Sequence, residues 1–175
     1  MKQILSSEQL VIPAHISYLP VLRNFISRIA ARYRFSKSDI NALVISVDEA
    51  CTNIIKHGYR DLPAGSIMVN VKVKNDRLVV ELIDYGISFD PNQVSDPNLA
   101  QYIQNGKKGG LGIFIMKKFL DEIQYVTCGT ANILRLVKFR KDSLIAQWLL
   151  PIRLLYHRVK ELLLPAKNGM LVRRG

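Results

Sequence analysis

The chain has 175 residues, of which 49% are hydrophobic and 22% charged. That balance excludes an intrinsically disordered chain and leaves length for one well-buried domain with residues to spare. The formal charge of +11 would ordinarily suggest nucleic acid, yet residues 138–175 hold nine Lys and Arg against two Asp and Glu, while residues 1–137 hold 16 against 12. The excess sits in the tail, so direct nucleic-acid binding is not expected.

No signal peptide is expected from MKQILSSEQLVIPAH, which lacks a long apolar core and a cleavage site. No run approaches the ~20 apolar residues that span a bilayer. Ile4 to Ile12 reads as an edge strand ended by Pro13, and residues 15–33 place Leu22, Phe25, Ile26, Ile29 and Ala30 at helical spacing. A second helix is predicted from Ser36, with Asp39 completing a capping-box-like pair, to His57, with Gly58 as a left-handed closing residue. The period then changes to two. Ile67, Val69, Val71 and Val73 form a strand, Asn75-Asp76 turns, and Leu78, Val80 and Leu82 return. A polar segment from Pro91 to Lys108 follows, too long for an ordinary connection. After it come GGLG, a helix from Ile113 to about Glu122, and a second hairpin, IQYVTC and NILRLVKF, turning at Gly129-Thr130. This order predicts an α+β, two-layer sandwich. Cys51 and Cys128 fall inside apolar patterns without metal-ligand spacing and read as reduced core residues, in keeping with a cytoplasmic protein.

Three stretches could carry chemistry. On the second helix, Ile40, Leu43, Val47, Ala50, Cys51 and Ile54 share one arc, while Glu49, Asn53 and His57 line the other side beside the small Ala42 and Ser46. Such a sparse polar face admits close approach by a ligand, although a solvated face with incidental polar residues explains the same pattern. ELIDYGISFDP delivers Asp84 at a strand end, where it could accept from an exocyclic amine, with Gly86 leaving room for a flat ring. A plain turn is the alternative. KKGGLGIF leads glycines into a helix start, where backbone N–H groups could face an anion; a simple cap is again the alternative. It is not a P-loop, because no Gly-Lys-Ser/Thr follows.

In this order the three stretches resemble the GHKL ATP-binding fold and, within it, the anti-sigma factor serine/threonine kinases, over Pro13 to Lys138. DEACTNIIKHGY is similar to that family's N box, DYGISFDP to its first glycine box and GGLGIFIMKKFLDEI to its second. The resemblance implies a mixed, mostly antiparallel sheet covered by helices on one face, and binding of ATP and Mg²⁺. It implies Asn53 as the magnesium ligand, Glu49 as general base and Asp84 as the adenine-amine acceptor with Gly86 beside it. Lys108, Gly109, Gly110, Leu111 and Gly112 would lie against the phosphates, under a lid of residues 91–108. His57 would touch phosphate or merely close its helix. Two departures stand out: Ser88 replaces a glycine found in larger relatives, and Asn132 stands where many of these kinases carry a threonine.

The implied activity is phosphorylation of a STAS-type anti-sigma factor antagonist, with sequestration of a sigma factor or another effector. An ATP-binding sequestering switch with little phosphotransfer is the alternative. The catalytic domain of a histidine kinase is disfavoured, since no upstream dimerisation hairpin precedes the N box. Domain boundaries are expected at 1–141 for the ATPase domain and 142–175 for a basic extension. In that extension Leu155, Tyr156, Val159, Leu162 and Leu163 lie along one side of a helix. Packing on its own domain or on a dimer mate is expected there, ahead of a partner groove, with a membrane surface disfavoured.

Overall fold

A computed structural model describes residues 3–60, 65–88 and 111–140. The first strand, β1 (Ile4–Pro13), leads through a 3-10 turn at Ile16–Tyr18 into α1 (Leu19–Arg32) and α2 (Lys37–Asn53). Then come β2 (Ser66–Lys74), β3 (Arg77–Asp84), α3 (Gly112–Phe119), β4 (Glu122–Cys128) and β5 (Ala131–Phe139). The sheet has the order β1-β2-β3-β5-β4, which puts β1 at one edge, as its sequence suggests. Every strand pairing among the described residues is antiparallel, in keeping with the mostly antiparallel sheet expected.

The period-two residues of β2 and β3 build the floor of the core. Ile67, Val69, Val71, Val73, Leu78, Val80 and Leu82 are fully buried, beneath Leu22, Ile26 and Ile29 of α1, Leu43 and Val47 of α2, and Met116 of α3. On the alternate face, Glu81 of β3 is gripped by its cross-strand neighbours: Arg135 Nη2 at 2.8 Å and Lys72 Nζ at 2.9 Å. Burial raises the Glu81 carboxyl, but these donors outweigh it and hold the group below the ordinary glutamate value.

Local signals set the helix ends. Ser36 caps α2, its Oγ accepting from the Asp39 N–H at 3.1 Å and donating to Asp39 Oδ2 at 2.6 Å. The carboxylate thus answers the cap's hydroxyl. At the end of α1, Arg34 adopts a left-handed φ of 58°. Its N–H reaches Ala31 O at 3.0 Å and that of Phe35 reaches Ala30 O at 3.0 Å, a Schellman closure sealed by buried Phe35.

Two boundaries differ from expectation. The second helix does not close on a left-handed Gly58. After Asn53 it widens into a π turn over Ile54–Gly58, with the Tyr59 N–H reaching Ile54 O at 3.2 Å, and Gly129 is the one described glycine with positive φ. The helix predicted to reach Glu122 stops at Phe119, because Leu120 is extended and the Asp121 N–H already bonds Val137 O of β5 at 2.9 Å. Strand pairing captures residues whose apolar spacing alone would continue a helix.

Candidate active site

Residues of α2 and the π turn, the end of β3, α3, β4 and β5 converge on one pocket. Ala50, Asn53 and Ile54 of α2 and the π turn form one wall, and Met116 of α3 closes above it. Asp84 at the end of β3 and Asn132 near the start of β5 form the polar end. π turns recur at functional sites because they displace a helix end from its regular track. Here the displacement brings Gly58 against the loop after β3, where Gly58 O accepts from the Ile87 N–H at 2.8 Å.

That contact explains Gly86. A Cβ there would stand 2.5 Å from Gly58 O and 2.7 Å from its carbonyl carbon. The space beside Gly86 is therefore taken by the helix end, and the glycine serves backbone packing at the cavity's edge. The Tyr59 hydroxyl reinforces the junction, donating to Ser66 O at 3.2 Å and accepting from the Tyr85 N–H at 3.1 Å. Burial pushes that phenol up despite the Tyr85 hydrogen bond, which keeps it neutral.

Asp84 is 4% exposed. Its Oδ1 accepts from the Gly86 N–H at 2.8 Å and from Asn132 Nδ2 at 3.1 Å. No group among the described residues donates to Oδ2, although Asp84 lines the cavity. A carboxylate oxygen at the pocket without a donor among the described residues suits a ligand that brings one, such as an exocyclic amine. Beneath it, burial together with the charges of Asp48 and Asp84 pushes the Cys51 thiol up, leaving it an inert core group.

At the other end, Glu49 and Asn53 lie one turn apart on α2 and meet the start of α3. A Cβ on Gly112 would stand 2.5 Å from Glu49 Oε2 and 3.5 Å from Asn53 Nδ2. The polar side of α2 is thus no open surface. The missing side chain of Gly112 lets the second glycine segment come down onto it, and Ser46, expected on that sparse face, is fully buried. Neighbouring Asp48 is committed to Arg23 at 2.7 Å. The side chains of Glu49 and Asn53 have no hydrogen-bond or ion-pair partner among the described residues, which leaves both available to a ligand.

Among the described residues no group of three His, Cys, Asp or Glu could hold a metal. Magnesium does not need one, since it takes one or two protein ligands and completes its shell with phosphate oxygens and water. A lone amide at the cavity wall fits that mode.

The structure unites Glu49, Asn53, Asp84, Gly86 and Gly112, with half-buried Leu111 at the cap of α3. His57 is exposed on the π turn and does not line the cavity. Lys108, Gly109, Gly110, the lid segment and the extension at 142–175 lie outside the described residues. Tyr125 and Met116 carry no local signal of a site role in the sequence, and Ser88 and Asn132 stand out there only as departures from the family pattern. The register Asp84↔Asn132 joins strands far apart along the chain, a pairing that no local pattern signals.

Comparison with known proteins agrees with this geometry. The histidine kinase-like ATPase domain family matches residues 12–138. The chain is 36% identical over 121 residues to the serine-protein kinase RsbW of Bacillus velezensis, spanning 66% of this chain and 75% of that one. The RsbW of Bacillus subtilis is 32% identical over the same shares, and that of Bacillus licheniformis is 33% identical over 71% of this chain and 80% of its own length. A crystal structure of the RsbU and RsbW domains of Rv1364c from Mycobacterium tuberculosis shares the fold, with a TM-score of 0.55 at 16% identity, over 77% of this chain and 32% of that one. With a matched domain that contains every element of the site, the chain belongs to the histidine kinase-like ATPase domain family and, within it, to the serine-protein kinases of the RsbW type.

Proposed function

We propose that the chain is a Mg²⁺- and ATP-dependent protein serine/threonine kinase of the cytoplasm that acts as an anti-sigma-type regulator. Its substrate is a STAS-type anti-sigma factor antagonist in a partner-switching pathway, and the sequestered effector is a sigma factor or a protein of equivalent role. The observation that carries this reading is a pocket lined by both Asn53 and Asp84, with Gly112 packed against Asn53 and against Glu49 one turn away. Asp84 suits a purine amine, and Asn53 with Gly112 suits a metal-bound phosphate.

The roles are those the family resemblance assigns, and the chemistry of each side chain suits its role. Asp84 Oδ2 accepts from the adenine amine. Asn53 holds the magnesium, which when bound neutralises charge on the phosphates. The family resemblance assigns Lys108, Gly109, Gly110, Leu111 and Gly112 to the same phosphates. Glu49, one turn from Asn53, accepts the proton of the incoming serine hydroxyl, a contribution of roughly 10²–10⁴-fold. No helix among the described residues is long and apolar enough to cross a membrane.

The test is transfer of labelled phosphate from ATP to a STAS-domain antagonist by the full chain and by Glu49→Gln. Transfer by the wild type, reduced at least about 10²-fold in the variant with nucleotide binding retained, supports the assignment. Wild-type binding of ATP and antagonist without any transfer would instead favour a sequestering switch.

A further inference from the structure

Asn132 is 2% exposed and stands between the two strands that shape the polar end of the cavity. Its Nδ2 donates to Asp84 Oδ1 at 3.1 Å and to Gly86 O at 3.0 Å. Its Oδ1 accepts from Ser88 Oγ at 2.7 Å and from the Tyr125 hydroxyl at 3.0 Å. A primary amide has two N–H donors and two carbonyl lone pairs, so all its capacity is spent. The orientation is equally determined. Turning the amide over would set its oxygen against a carboxylate and a carbonyl and its N–H groups against two hydroxyls already able to donate.

A saturated group cannot also bind a ligand directly. It can hold its neighbour, and Asp84 is that neighbour, with Oδ1 doubly engaged and Oδ2 left for the cavity. We propose that Asn132 is a positioning residue for base recognition: its amide, oriented by Tyr125 and Ser88, locks the Asp84 carboxylate so that one oxygen reads the base. The inference rests on the adenine-nucleotide reading of the cavity and adds which side chains set its selectivity. A base with an amine at the reading position donates to Oδ2. A base with a carbonyl there would set oxygen against oxygen, and it is rejected only while the carboxylate cannot rotate to relieve the contact.

The experiment compares the binding of ATP and of inosine triphosphate, which carries a carbonyl in place of the amine, to the full chain. Variants are Asn132→Ala, Tyr125→Phe and Ser88→Ala, with a thermal melt of each. Asn132→Ala is expected to reduce the ATP preference by about tenfold or more, and each hydroxyl deletion to reduce it by about twofold to threefold. A fall in melting temperature with both nucleotides weakened equally, so that the preference stands, overturns the proposal, because a merely structural residue would behave that way. Should Asn132→Ala fail to fold, the two hydroxyl variants decide by the same ratio. A wild type that binds neither nucleotide overturns the ATP reading and this inference together. A wild type that discriminates, with the ratio unmoved in all folded variants, overturns this inference alone.

Discussion

Replacing Gly86 by alanine tests the packing that holds the two ends of the site together. The added Cβ would lie 2.5 Å from Gly58 O, 2.7 Å from its carbonyl carbon and 3.0 Å from its Cα. These are backbone atoms of Gly58, the buried residue of the π turn, so no side-chain rotation can relieve the contact. Reaching an ordinary separation of 3.4 Å requires the loop and the helix end to part by about 0.9 Å. The Ile87 N–H to Gly58 O hydrogen bond, now 2.8 Å, spans the same gap and would stretch towards 3.7 Å, beyond hydrogen-bonding distance. Overpacking costs about 1–3 kcal/mol and the lost backbone bond about 0.5–1.5 kcal/mol, for a total of roughly 1.5–4.5 kcal/mol. Urea unfolding followed by circular dichroism measures this directly. Gly58→Ala is the matched control, because its Cβ would meet nothing closer than Ile87 O at 3.7 Å and should cost little stability. If Gly86→Ala unfolds within about 0.5 kcal/mol of wild type, or no lower than Gly58→Ala, the close approach is not what the glycine is for.

Glu81→Gln should cost about 1–2 kcal/mol at neutral pH, discounted for the half-exposed heads of Lys72 and Arg135. Because the folded carboxyl lies below its unfolded value of about 4.3, its contribution is complete above that pH and fades as pH falls through the folded value. Melts at several pH values should therefore show the gap between wild type and variant closing below about pH 4, and a gap constant to pH 3 would contradict the assignment. The two cysteines should separate in a thiol-labelling experiment: Cys128, expected in the core but exposed at the end of edge strand β4, reacts in the native protein, whereas Cys51, buried and held as the thiol, reacts only after unfolding. A second native label, identified by peptide mass, would mean that α2 opens readily.

Most of the architecture was legible along the chain because its signals are local. The alternation in Ile67–Val73 and Leu78–Leu82, the Ser36 cap and the turn at Gly129 each depend on residues a few positions apart. The polar series Glu49, Asn53 and Asp84 was also visible, since the i, i+4 spacing and a strand-end aspartate can be read without knowing what lies opposite. Where sequence and structure part, a distant neighbour decides. The Asp121 N–H bonds Val137 O and ends a helix that apolar spacing would extend. Gly58 meets Gly86 across the cavity's edge, so its conformation answers to packing and not to a helix cap. The pairing of β3 with β5 sets Asn132 beside Asp84 and turns an apparent departure from the family pattern into a fully bonded clamp. Sequence by itself determined which elements form and which polar groups the site draws on. Tertiary structure alone decided which of those groups keep a free atom, because hydrogen-bond capacity is consumed by partners that the chain order keeps far apart.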